Sequence, residues 1–143
     1  MGPMSFSGIS LHPLKEITNT KGNVLHALRS IDSSYSGFGE AYFSTILEGG
    51  VKAWKKHTRM TMNLIVPVGN IKFVFANDGG EFSEYIIGRD SYMRLTVQPG
   101  IWFGFLGLGK GENLLLNISD IIYSDSEVEH KDISEFVYQW ERV

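Results

Sequence analysis

Cysteine is absent from this 143-residue chain, proline occurs only four times, and no apolar run is long enough to span a bilayer. Without cysteine there is no disulfide framework and no thiolate nucleophile, which favours a cytoplasmic setting over a secreted one. The N-terminus, Met1-Gly2-Pro3-Met4, lacks a charged region followed by an apolar stretch, so it does not read as a signal peptide. Met1-Gly2-Pro3 has the character of a cloning remnant, with native sequence starting at Met4 and one domain over residues 4–143. A formal net charge of −3 argues against a general nucleic-acid binder. Hydrophobic residues at 43% and charged residues at 20% belong to a globular chain with enough apolar surface for a core.

What is present is β-type sequence. Runs rich in β-branched and aromatic residues recur at 40–47, 51–57, 60–68, 71–76, 82–87, 93–97, 101–106 and 113–119, with 121–123 as an extension. Gly49-Gly50, Gly69-Asn70, Asn77-Asp78-Gly79-Gly80 and Pro99-Gly100 punctuate them as turns. Strand starts about every 8–12 residues indicate an all-β sandwich or barrel. Helix is scarce: a turn or two over 23–29, and a terminal helix over 132–141. Asp132 is that helix's expected N-cap, and Ile133, Phe136, Val137 and Trp140 its apolar packing stripe.

Lys52, Lys55, Lys56, His57 and Arg59 form the one dense basic cluster. Strand alternation puts Ala53, Lys55, His57 and Arg59 on one face and Lys52, Trp54 and Lys56 on the other. If the His57 face turns inward, the flanking cations keep the imidazole neutral, as a general base must be. If it turns outward, it is a solvated strand whose lysines discourage edge pairing. Along 40–47, Glu40, Tyr42 and Ser44 share a polar face that suits either a cavity lining or solvent.

Other chemistries fit less well. A barrel metal site needs His-x-His, a nearby carboxylate and a later His. Here His57-Thr58-Arg59 offers one His, and the Pro99-Gly100 turn leads to Phe103. His12, His26 and His130 are expected in loops or terminal segments. There is no Gly-x-Ser-x-Gly elbow, and the glycines of 104–111 open no helix and lack a Lys-Ser/Thr ending. What remains is His57 as a base with cations nearby, against the alternative of an imidazole satisfied by a backbone carbonyl.

Residues 49–57 resemble the Gly-Val-Leu-Arg-Gly-Leu-His segment of the dTDP-4-dehydrorhamnose 3,5-epimerase family. Pro99-Gly100-Ile101-Trp102-Phe103-Gly104-Phe105 is similar to its Pro-Gly-Phe-Ala-His-Gly-Phe, and Val66-Pro67-Val68-Gly69-Asn70-Ile71 to its Val-Val-x-Gly-x-Val turn. Leu115-Leu116-Asn117, with Asp120 and Glu127, resembles its Leu-Tyr-Lys…Asp…Glu stretch, so the likeness runs from about Lys21 to Glu129. It implies a cupin-type double-stranded β-helix, a jelly-roll barrel. It also implies a cytoplasmic homodimer without a cofactor, acting on a nucleotide-linked 4-keto-6-deoxy sugar in surface-polysaccharide (O-antigen) synthesis. In that family a His removes the proton beside the C4 ketone and a Tyr opposite returns one.

Carried over, the base falls on Lys55, with His57 two residues on along the same face; His57 is preferred and Lys55 second. The acid Tyr falls on Leu116 or Asn117, leaving Tyr123 as substitute if the chain bends back toward the pocket. Lys52 and Arg59 become candidate anion contacts, Tyr42, Asn63 and Asn117 sugar contacts, and Trp102 an apolar wall. No residue is found to orient the base. The expectation is a metal-independent epimerase or ketoisomerase of one centre. The alternatives are a non-catalytic sugar-binding module on the same barrel and, third, a cupin oxidoreductase.

Overall fold

In the computed structural model, which describes residues 7–140, the chain forms two five-stranded antiparallel sheets facing each other. The expected native start at Met4 and helix end at Glu141 lie outside the described residues. In chain order the strands are β1 (Ile9–Pro13), β2 (Glu16–Ile17), β3 (Val24–Leu25), β4 (Glu40–Leu47), β5 (Val51–His57) and β6 (Met62–Val68). Then come β7 (Asn70–Ala76), β8 (Phe82–Gly88), β9 (Met93–Val97), β10 (Trp102–Gly107), β11 (Glu112–Ser119) and β12 (Val128–His130). The first sheet runs β1-β9-β6-β11-β4 and the second β12-β5-β10-β7-β8. This is the expected all-β jelly roll, and β4, β5 and β9 occupy the expected residues.

The inner faces are apolar by alternation. Phe73 and Phe75 of β7, Phe103 and Phe105 of β10, and Leu64 and Leu95 of the opposite sheet are all buried in one cluster. Each such side chain contributes about 1.5–3 kcal/mol relative to an exposed one. Among the described residues no helix is long and apolar enough to cross a membrane.

Two expectations fail, both for local reasons. Residues 23–29 form no helix, because Val24 and Leu25 pair as β3 with Ile17 and Glu16 of β2. The described part of 132–141 holds only a 3-10 turn, Ile133–Glu135, capped by Asp132, whose carboxylate accepts from Ser134 N. Beyond it the chain alternates with period two. Phe136, Tyr138 and Trp140 pack on Trp54 and its neighbours on the outer face of the second sheet, while Val137 is 92% exposed. Aromatics at every second residue fit an extended strap, which lays alternate side chains on one surface; a helix would spread them round its circumference.

Candidate active site

Strand β5 contains a register shift. Phe103 of β10 pairs with Lys55, yet the next residue, Gly104, pairs with Ala53, and Phe105 pairs with Lys52. The extra residue on β5 is a β-bulge, which reverses the inward–outward alternation. Lys52 and Lys55 therefore oppose Phe105 and Phe103, both core residues, and share the concave side with His57, while Trp54 turns outward into the second cluster. This corrects the expected placement of Lys52 on the far face. Gly104 permits the arrangement, since a Cβ there would lie 2.6 Å from Ala53 Cβ and 3.0 Å from the Lys52 carbonyl oxygen.

His57 ends β5 and is 3% exposed. Its Nδ1 lies 2.5 Å from Glu127 Oε2, and the other carboxylate oxygen accepts from the backbone N–H groups of Arg59 and Met60, each at 3.1 Å. Thr58 binds the Glu127 carbonyl oxygen through its N–H and its hydroxyl, fixing the residue at both ends. Glu127 sits in a 3-10 turn, Asp125–Glu127, leading into β12, whose Val128 pairs with His57. It is the orienting acid that sequence reading missed. The partners are 70 positions apart, and the signal that could have found it is the family-like Glu at the end of the resemblance.

Burial holds the His57 ring below the ordinary histidine pKa, outweighing the pull of Glu127. Burial pushes the Glu127 carboxyl upward, but hydrogen bonds from His57 and the two N–H groups prevail and it lies below its usual value. The pair is therefore an ionised carboxylate beside a neutral imidazole. A carboxylate only accepts, so Nδ1 carries the proton and Nε2 presents a lone pair. His57 lines a recess of about 40 Å³ with Tyr42, Ser44, Lys55, Phe103 and Asn117.

Tyr42 and Ser44, from the polar face of β4, line the recess, while Glu40 accepts from the Tyr123 N–H. Tyr42 pairs with Asn117 of β11, and Asn117 Nδ2 donates to the Tyr42 oxygen at 3.0 Å. Burial raises the Tyr42 pKa, so the phenol holds its proton. Asn117 is 2% exposed and its Oδ1 has no partner among the described residues. The chain after β11 does bend back: the Tyr123 ring meets His57 edge-on at 6.5 Å, its pKa raised chiefly by a hydrogen bond to Asp125.

A groove of about 760 Å³ adjoins the recess and shares Ser44, Lys55, Phe103 and Phe105 with it. Lys52, His130 and Lys131 also line it. Burial, and then the charge of Lys52, lower the Lys55 pKa.

Three expected contacts lie elsewhere. Asn63 faces away from the recess, accepting from Thr96 at 2.6 Å and donating to the Ser34 carbonyl. The Arg59 side chain is exposed beyond the end of β5, and only its backbone N–H serves the site. Trp102 lies on the outer face with Trp54, under the ammonium groups of Lys56 and Lys131. His130, expected in a terminal segment, is in β12 and paired with Lys55, and His12 is in β1. No three His, Asp or Glu side chains among the described residues converge as a metal site.

Known proteins share this architecture. No family model matches the chain. The curated spore coat polysaccharide biosynthesis protein SpsL of Bacillus subtilis (strain 168) is 22% identical over 132 residues, 88% of this chain and 87% of that protein. The 3,4-ketoisomerase QdtA of Thermoanaerobacterium thermosaccharolyticum, solved with TDP-4-keto-6-deoxyglucose, matches at a TM-score of 0.76 and 17% identity, over 89% of this chain and 90% of that one. A dTDP sugar isomerase from Desulfovibrio desulfuricans G20 superposes at a TM-score of 0.87 with 36% identity, covering 94% of this chain and 91% of its own. With that identity over nearly the whole length, the chain belongs to the dTDP-4-dehydrorhamnose 3,5-epimerase-like cupins, the family of dTDP-sugar isomerases and epimerases.

Proposed function

We propose that this protein is a metal-independent epimerase or ketoisomerase of a dTDP-linked 4-keto-6-deoxy sugar, working in the cytoplasm on precursors of surface polysaccharide such as O-antigen. The observation that carries the reading is the His57–Glu127 pair: a neutral base lining a recess at the end of a cationic groove. The diphosphate binds along the groove at Lys52, with Lys131 at its rim. The sugar lies in the groove at the mouth of the recess, and His57 Nε2 takes the proton from a carbon beside the C4 ketone. The released electron pair moves onto the ketone oxygen, where the Lys55 ammonium stabilises the enolate. Glu127 holds the resulting imidazolium in place.

Tyr42 returns the proton. Its oxygen already accepts from Asn117, so its own O–H is free for substrate, whereas the Tyr123 proton is held by Asp125. Delivery to the carbon that lost its proton, from the opposite side, inverts that centre. Delivery to C4, with the C3 hydroxyl proton passing to the C4 oxygen, moves the ketone. Tyr123 is the second candidate because its ring edge meets His57. The position matching the family's acid, Leu116, is on the outer face of β11, opposite exposed Phe43.

A homodimer is part of the proposal. β4 is an edge strand, and its outer face exposes Phe43 at 64% and Leu47 at 62% beside Leu114 and Leu116. A second copy covers such an apolar patch.

Proton NMR in D₂O with dTDP-4-keto-6-deoxyglucose tests the chemistry. Deuterium is expected at C3 or C5 with the native protein and not with His57→Ala. Exchange that survives the substitution moves the base to Lys55. No exchange in a sample that binds the sugar nucleotide makes the protein a binding module.

A further inference from the structure

A second cavity, of about 400 Å³, lies on the other side of the first sheet from His57. Met93 and Leu95 of β9 point toward the core, so Arg94 between them points the opposite way, beside its cross-strand partner His12 of β1. Lys15 follows β1, and His26, Arg29 and Asp32 come from the irregular segment that roofs the cavity. Five of its lining side chains are cationic or can become so, against one carboxylate.

Arg94 is the centre of the argument. Its side chain is 4% exposed, and its only carboxylate partner among the described residues, Asp32, stands at 3.4 Å. Asp32 is already engaged by Arg29, at 3.1 Å through the guanidinium and 2.9 Å through the backbone N–H. The remaining partners of Arg94 among the described residues are neutral: the Ala27 carbonyl at 2.8 Å and the Ser34 hydroxyl at 2.9 Å, with Nε unpartnered there. Two guanidinium groups thus share one carboxylate, and Lys15 adds a further charge. A buried guanidinium without full compensation is costly, and its planar fork matches tetrahedral oxyanions.

We propose that this cavity is a binding site for a phosphate or phosphomonoester dianion, held by Arg94 and Lys15 with His12 and His26 completing the shell. The volume suits a small ligand of that kind. The site is independent of the sugar chemistry, since the sheet separates it from the groove. Burial and the charge of Arg94 keep His12 below the ordinary histidine pKa, against the opposite pull of Asp32. A bound dianion reverses that balance and favours the protonated ring.

The test is a titration with inorganic phosphate and, separately, glucose 1-phosphate at constant ionic strength, read by the ring proton resonances of His12 and His26 and by calorimetry. Saturable movement of both rings is expected, with the apparent pKa of His12 rising. Lys15→Ala and His26→Ala should each weaken binding about five-fold or more, and Lys52→Ala should leave it unchanged. Glucose 1-phosphate binding more tightly than phosphate identifies a phosphomonoester; equal affinities identify free phosphate. Unmoved rings, or binding abolished by Lys52→Ala and indifferent to Lys15→Ala, would overturn the proposal. The two mild variants keep the test decisive even if Arg94→Gln does not fold.

Discussion

Lys52 and Lys55 are three residues apart on one strand and yet line the same groove, because the bulge opposite Gly104 takes up the odd residue. Like charges at that separation make Lys55 easier to deprotonate, beyond the effect of its burial.

That relationship sets the alkaline limb of the pH–rate profile. If the Lys55 ammonium stabilises the enolate, kcat/KM should fall as pH rises through a pKa below the ordinary lysine value of 10.5. Lys52→Ala removes one of the causes of the depression, so the limb should move to higher pH. A limb that stays in place, measured from pH 7 to 10.5, would remove Lys55 from this role.

The acid limb belongs to His57. Activity should rise with pH through a value below 6.5, since the ring must be neutral to act. Glu127→Gln removes the charge that steadies the imidazolium, and turnover should fall by about 10²-fold or more. The same substitution sets an amide N–H against a buried donor, His57 Nδ1 or the Arg59 and Met60 N–H groups, at a cost of about 1–3 kcal/mol, visible as a lower Tm.

Stability should follow the same pair. Both pKa values are lower in the folded protein than in the unfolded chain. Between the folded and unfolded values the unfolded chain binds more protons, so folding weakens on acidification. The loss should begin as pH falls below 6.5 through His57 and continue below 4.5 through Glu127. Thermal melts from pH 7 to 4 check it, and His57→Gln should flatten the upper part of the curve.

Gly104→Ala probes the bulge. Its Cβ would meet Ala53 Cβ at 2.6 Å, and the cost should be about 1–3 kcal/mol. Adding Ala53→Gly should restore much of the stability, because it removes the atom struck. Sugar-nucleotide affinity should fall and recover in step if the groove depends on this register.

Phe43→Glu places a charge in the exposed patch on β4. Light scattering should show a dimer for the native protein and a monomer for the variant, with the monomer's Tm close to that of the native fold, since Phe43 is 64% exposed. An unchanged mass would move the interface elsewhere.

The barrel was legible because alternation and turn residues are local signals. β4, β5 and β9 can be read directly from hydrophobic pattern and glycine punctuation. The site was only half legible. His57 and Lys55 follow from strand parity, but parity misplaces Lys52, because nothing in the local pattern announces a bulge that the partner strand imposes. Asn63 went wrong for a similar reason: its apolar neighbours Met62 and Leu64 take the inner face and leave it clasping Ser34. The strap was read as a helix because Ile133, Phe136, Val137 and Trp140 fit a period of 3.6 as well as Phe136, Tyr138 and Trp140 fit a period of two. Packing on Trp54 and Phe82 decides between them.

The separation of His57 from Glu127 also bears on how the protein is made. A ribosome adds about 5–20 residues per second, so the carboxylate follows the imidazole by several seconds, given the 70 positions between them. Until then a nascent chain has its base but nothing to hold the ring's tautomer, and β12, which borders His57, does not yet exist. Proton abstraction is thus deferred until the barrel can close, and a ribosome-bound fragment ending before Glu127 should be inert toward keto sugars.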